Sequence, residues 1–348
     1  MQKEIKIGSK IISEDSPAYI VAEMSGNHNL SYDRAIAIID AAKEAGADAV
    51  KLQTYTPDTI TMDCDSDLFK TGGIWSGSTL YKLYQTAYTP WEWQGKLIEY
   101  ANRIGLDCFS SPFDFTAVDF LEELHVPAYK LASFEINDIP LIRKMAGTGK
   151  PIIMAAGIAH LEDIDLALRT CLEEGNDKII LLKCVSSYPA PYEDMNIKSI
   201  PLIAETFDCL SGLSDHSMGT EVSVSAVALG AKMIEKHFTL RRSDGGPDAE
   251  FSMEPEEFKS MVSQIRNVEK ALGKATFDLT EAQEKERRSS RSLFVTEDIK
   301  KGEVLTEKNI RSIRPGYGLH TKYYDRVLGC AALEDIKRGT PLDWKHFH

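Results

Sequence analysis

Leu210-Ser211-Gly212-Leu213-Ser214-Asp215-His216 and Met233-Ile234-Glu235-Lys236-His237 have the same build: a short apolar run closed by a histidine. Runs of this kind, set between helix-like stretches, read as parallel strands. A polar residue at the C-terminal end of such a strand points to where α/β barrels keep their chemistry. Working outward, further runs occupy 18–24, 49–54, 106–112, 128–133, 151–157 and 179–185, so that with 210–216 and 233–239 there are eight. Amphipathic segments lie between most of them. The clearest is 32–45, with Ala35, Ile36, Ile38, Ile39 and Ala42 ahead of the stop Gly46; others are 117–124 and 161–174. Eight strand–helix units predict an α/β fold, a (β/α)8 TIM barrel, closed by a helix over 254–272. An open doubly wound sheet competes, but no GxGxxG follows the first strand.

The chain has 348 residues, 43% hydrophobic and 27% charged, which suits one large domain plus a small one. Its net charge of −13 disfavours a general nucleic-acid role but leaves room for a local cationic site that takes a small anion. Six cysteines (64, 108, 171, 184, 209, 330) show no CxxC spacing; Cys108, Cys184 and Cys209 read as buried thiols of a reducing cytoplasm. The charged start Met1-Gln2-Lys3-Glu4 lacks a signal peptide's apolar stretch, and no run has the length of a membrane span. A cytoplasmic location is therefore expected.

One connection is too long for the barrel rhythm. After the second strand, 57–70 and the following residues form an insertion on the catalytic side, and 91–103 then reads as a helix. Three of the four tryptophans (Trp75, Trp91, Trp93) sit there, so the insertion is either a lid or specificity wall or a packed surface loop. The barrel domain is expected over 1–277. A charged linker follows over 278–290, and a small β-rich domain over 291–348, with strand 292–296 and Gly turns at 300–303 and 337–340.

The strand ends offer Glu23, Lys51, Lys130, His216 and His237 as the best lumen-facing ionisable groups. A barrel interior is normally apolar, so such groups need a partner or a ligand. A single lysine could snorkel. Two lysines with several hydroxyls fit a phosphate or carboxylate anion. His216 and His237 are either structural histidines or a metal pair, with Glu23 or Asp248 completing the shell of a borderline ion such as Mn²⁺, Zn²⁺ or Co²⁺. Alternatively, Lys130 or Lys183 could form a Schiff base in a metal-free aldolase. Which of Ser110 and Ser111 faces inward depends on a one-residue register.

These residues resemble the sialic acid synthase family. The resemblance rests on Ala22-Glu23-Met24-Ser25-Gly26-Asn27-His28, Val50-Lys51-Leu52-Gln53-Thr54, Ser110-Ser111-Pro112-Phe113-Asp114 and Lys130-Leu131-Ala132-Ser133. It continues through Leu213-Ser214-Asp215-His216, Glu235-Lys236-His237-Phe238-Thr239 and Gly246-Pro247-Asp248. It ends in Arg314-Pro315-Gly316, the mark of a SAF (antifreeze-like, β-clip) domain. Gly77-Ser78-Thr79-Leu80-Tyr81, Thr89-Pro90-Trp91-Glu92-Trp93 and the tail Arg314–His320 are most similar to the pseudaminic acid branch of that family. Ser186-Ser187-Tyr188 stands where N-acetylneuraminate synthases usually have Asn-x-Tyr.

The resemblance implies a transferase that condenses phosphoenolpyruvate with an amino sugar, 2,4-diacetamido-2,4,6-trideoxy-L-altrose in that branch, to give pseudaminic acid and phosphate. It implies that His216 and His237 hold a divalent metal, Mn²⁺ first and Mg²⁺ or Co²⁺ as alternatives, and that Glu23 orients water or manages a proton. Lys51, Ser111, Lys130, Ser133 and Ser214 would hold the phosphate and carboxylate; Phe113, Ser186, Tyr188, Asp248 and Arg314 would meet substrate. Arg314 is implied to reach the barrel of a second protomer in a swapped homodimer. The competing readings are an N-acetylneuraminate or legionaminate synthase, the Schiff-base aldolase, and a non-catalytic sugar-binding protein.

Overall fold

The computed structural model describes residues 1–348 and divides into two compact units, Met1–Gly273 and Lys274–His348. In the first, β1 (Glu4–Ile7) and β2 (Lys10–Ser13) pair as an antiparallel hairpin. Eight parallel strands follow: β3 (Tyr19–Glu23), β4 (Ala49–Thr54), β5 (Asp107–Pro112), β6 (Tyr129–Leu131), β7 (Ile152–Ala155), β8 (Ile179–Cys184), β9 (Leu210–Asp215) and β10 (Met233–His237). They close in sequence order, with β10 beside β3. All eight runs expected to be strands are strands of this barrel.

Strand side chains alternate between two apolar clusters. Ile20, Val50, Leu52, Leu131, Leu181 and Ile234 pack outward against the helices. Tyr19, Val21, Ala49, Phe109, Ile153, Leu182 and Met233 fill the lumen. The hairpin, which sequence reading missed, adds Ile5, Ile7 and Ile12 to the lumen cluster and closes the barrel at its N-terminal end. Its strand β1 alternates charged and buried residues (Glu4, Ile5, Lys6, Ile7).

Helices Tyr32–Glu44, Trp91–Arg103, Phe115–Glu123, Leu161–Glu173 and Pro255–Leu272 lie where the apolar periodicity places them. The insertion after β4 has structure of its own, including the helix Leu80–Ala87 capped by the Thr79 side chain. In the second unit, 278–290 contains an exposed helix, Glu281–Glu286. Then β11 (Ser292–Val295) pairs antiparallel with β12 (Ile310–Ile313) over a core that includes Leu293, Val295, Ile299, Leu305 and Leu342. No helix is long and apolar enough to cross a membrane.

Candidate active site

Alternation sorts the candidates. On β10 Met233 faces the lumen, and so do Glu235 and His237; Lys236 faces outward, where its Nζ lies 2.8 Å from Asp215 Oδ2. By the same rule Lys51 and Gln53 (β4), Ser111 (β5), Lys130 (β6), Cys184 (β8) and Ser214 (β9) face inward. Ser110 faces outward and bonds Thr54 Oγ1 at 2.6 Å, while Ser111 Oγ accepts from Lys51 at 3.4 Å. Lys183 also faces outward and donates to its neighbour's carbonyl.

At the C-terminal end of the lumen, four ionisable groups form one buried cluster. Lys51 Nζ lies 3.0 Å from Glu23 Oε2 and 3.1 Å from Glu235 Oε1; Lys130 Nζ is 3.5 Å from the same Glu235 oxygen. Ser214 Oγ donates to Glu235 at 3.1 Å, and Gln53 Nε2 donates to Glu23 at 3.0 Å. Burial pushes the Glu23 carboxyl up to about 7, against the pull of Lys51. Burial would raise Glu235 too, but Lys130 and Lys51 outweigh it and hold Glu235 well below the carboxylate range. Two ammonium groups thus face one firm carboxylate and one that is partly protonated near neutral pH. The cluster is locally positive inside an acidic chain, as an anion site requires.

Beside this cluster stand the two imidazoles, with ring centroids 5.3 Å apart. His216 Nδ1 is 2.8 Å from the Val185 carbonyl, which fixes a proton on that nitrogen and leaves Nε2 as the one that could ligate. His237 Nδ1 is buried without a hydrogen-bond partner, 4.0 Å from Asp248 Oδ2. Burial and the neighbouring His216 hold His237 well below the usual imidazole range, so it is neutral and able to ligate. Asp248 accepts from Ser25 Oγ. Its loop is tied down by Asn27, which donates to Phe238 O and Ser252 Oγ, and by Arg34 on Asp244. Gly246 in that loop has φ +129°, and a Cβ there would stand 2.4 Å from Asn29 Oδ1. No three His, Cys, Asp or Glu side chains converge as a ready-made metal cage. An orphaned neutral imidazole nitrogen beside a second imidazole and a carboxylate nevertheless fits a divalent ion that keeps open positions.

Above these groups a cavity of about 490 Å³ opens. Ser25, Gln53, Ser133, Glu135, Ser186 and Asp248 give it polar groups. Ser186 Oγ donates to Ser133 Oγ at 2.8 Å across Gly157, where any Cβ would collide with both. Tyr188 leans on His216 with ring centroids 4.4 Å apart, and Phe113 stands edge-on to Tyr55 at 5.3 Å. Arg314 belongs to the C-terminal unit, at a cis bond to Pro315.

Of the insertion's tryptophans, only Trp75 lines the cavity. Trp91 stacks on Phe120 and Trp93 packs on His28 and Tyr32, so the three do not act together. Sequence reading did not single out Glu235 as a site residue, although it lies two residues before His237 on one strand. Glu135 was not among the best candidates either; its Oε2 is buried without a partner, and burial pushes it up to about 7.

Comparison with known proteins gives this site its context. The NeuB family model matches residues 38–277, and the SAF domain model matches 290–348. The chain is 46% identical to a pseudaminic acid synthase of Campylobacter jejuni, over 94% of this chain and 96% of that one. It is 47% identical to a pseudaminic acid synthase of Helicobacter pylori, again over 94% and 96%. Among solved structures it is similar to an N-acetylneuraminic acid synthetase from Leptospira borgpetersenii, with a TM-score of 0.74, 30% identity, and coverage of 82% of this chain and 95% of that one. The chain, with its lysine–carboxylate cluster, paired imidazoles and C-terminal SAF domain, belongs to the NeuB family.

Proposed function

We propose that this chain is a pseudaminic acid synthase: it joins phosphoenolpyruvate and 2,4-diacetamido-2,4,6-trideoxy-L-altrose with water, and releases phosphate by C–O cleavage. The buried cluster of Lys51, Lys130, Glu23 and Glu235 beside two imidazoles carries this reading. Lys51 and Lys130, with Ser111, Ser133 and Ser214, hold the phosphate and carboxylate. His216 and His237, with Asp248 or Glu23 nearby, would hold a divalent ion, Mn²⁺ first. That ion, when bound, supplies Lewis-acid polarisation of the sugar's carbonyl.

C3 of phosphoenolpyruvate attacks the open-chain aldehyde and leaves an oxocarbenium-like C2. Water adds there and loses a proton. Glu23, poised near pH 7 by burial, accepts it, and the aldehyde oxygen, an alkoxide since the attack, takes up one proton. The tetrahedral centre then expels phosphate with its bridging oxygen. Fixed ammonium groups in a dry site stabilise the charge that develops. Lys130 is the lumen-facing candidate for Schiff-base chemistry, but its ammonium is shared with Glu235, whereas Lys183 faces away. We also propose a cytoplasmic homodimer in which Arg314 of one protomer reaches the sugar in the other.

The test is phosphate release from phosphoenolpyruvate with the diacetamido sugar and with N-acetylmannosamine, each with and without EDTA. Release with the first sugar only, lost in EDTA and restored by Mn²⁺, is expected. Release with N-acetylmannosamine alone overturns the substrate. No metal-dependent release with either overturns the mechanism.

A further inference from the structure

The helix Leu80–Ala87 turns Leu80, Leu83, Tyr84 and Ala87 toward the cavity. Their spacing, i, i+3, i+4 and i+7, is the stripe that a helix ordinarily buries in a core. Here the stripe borders the space where substrate must sit, and Leu80, Leu83 and Tyr84 are only half-buried. Polar groups of the same insertion are already engaged. Trp75 Nε1 donates to the Pro247 carbonyl at 2.7 Å, Thr71 Oγ1 to the Trp75 carbonyl, and Lys70 Nζ to Asp67. Lys70, Thr71, the Trp75 indole N–H and the Tyr84 hydroxyl are the polar side-chain groups that the insertion brings to the cavity; Leu80 and Leu83 offer only carbon. The cavity's other polar side chains include Ser133, Glu135, Ser186 and Asp248, which come from outside the insertion.

A sugar bound across such a cavity is sorted by polarity. Its aldehyde end must lie at the floor, over His237 and the lysine cluster. An open six-carbon chain held there carries C6 away from the floor. We propose that the Leu80–Leu83–Tyr84 face, with Trp75, is the specificity wall that seats the C6 methyl of the sugar and disfavours a hydroxyl at that carbon. This rests on the proposed substrate. A hydroxyl against the Leu80 and Leu83 side chains would lose its water partners and find none on them in exchange. An apolar wall discriminates against an added hydroxyl by up to about 100-fold, and no more, because the misfit is one unmade hydrogen bond.

The experiment measures kcat/KM for phosphate release by the full-length, Mn²⁺-loaded enzyme. It uses the 6-deoxy diacetamido sugar and its 6-hydroxy counterpart, with wild type, Leu80→Asn, Leu83→Asn and Leu83→Met. The readout is the ratio of the two kcat/KM values, which is independent of how much of a variant is folded. Wild type is expected to favour the deoxy sugar. Each Asn variant should lower the ratio by roughly 10-fold, chiefly through the deoxy sugar, and Leu83→Met should keep it. An unchanged ratio in both Asn variants overturns the wall and leaves the proposed function standing. So does a wild type that uses both sugars equally. A wild type inactive with the deoxy sugar overturns the substrate assignment and the wall with it, before any variant is made.

Discussion

Glu235 and Lys236 are chain neighbours with opposite duties. Glu235 holds two lysines in the lumen; Lys236, on the outer side, neutralises Asp215, which also accepts from Ser217 and Ser223. Removing one partner of a buried pair strands the other charge. Lys236→Met is therefore expected to cost about 3–5 kcal/mol in urea denaturation, and adding Asp215→Asn should return part of that loss. Lys51→Met should instead lower kcat/KM for phosphoenolpyruvate on the order of 100-fold or more, read from initial rates.

His28 gives a pH signature. It is fully buried, its Nδ1 accepts from Leu30 N, and burial, with Arg34 nearby, lowers it to about 4. As pH falls below the ordinary value near 6.5, the unfolded chain takes the proton first. The stabilisation is complete above that value and is lost progressively as pH falls toward 4, by roughly 1.4 kcal/mol per unit. His28→Gln should narrow its thermal-midpoint deficit relative to wild type as pH drops from 7 to 4.5. The charged site residues other than Glu235 and Glu135 were legible in the sequence because ionisable groups at strand ends stand out against apolar runs. Ser110 and Ser111 were not separable, because two adjacent hydroxyls fit either phase of a two-residue period; the bond from Ser110 to Thr54 shows which one turns away.

The eight barrel strands were readable for a physical reason. Strands covered on both faces must be apolar along nearly their whole length, so they appear as runs rather than alternations. The hairpin was hidden by the converse. Glu4-Ile5-Lys6-Ile7 is half charged, and only tertiary packing shows that its isoleucines enter the lumen. Ile7→Ala is expected to destabilise the chain by about 2–5 kcal/mol in urea denaturation, as for any well-packed core residue, despite its place near the terminus. Helix Leu80–Ala87 was hidden differently. Eight residues that mix Leu, Tyr, Lys and Gln carry too little periodic signal, and two of the insertion's three tryptophans point to packing elsewhere.

Two compact units in one chain allow the proposed homodimer to be tested by complementation. His216→Ala and Arg314→Ala should each abolish activity alone. Mixed after unfolding and refolding, they should recover about a quarter of wild-type activity, because half the dimers are mixed and each then holds one intact site. No recovery would place Arg314 in its own protomer's site, and an Arg314→Ala variant that is active alone would place it outside any site. The closed end of the barrel has a further consequence. With the hairpin's isoleucines filling the bottom, the reaction vessel has a single opening, and the lysine cluster lies beneath the cavity that takes the sugar. Such a vessel is expected to fill as a stack, the small anion first and the sugar over it, an order that initial-rate and product-inhibition kinetics would read.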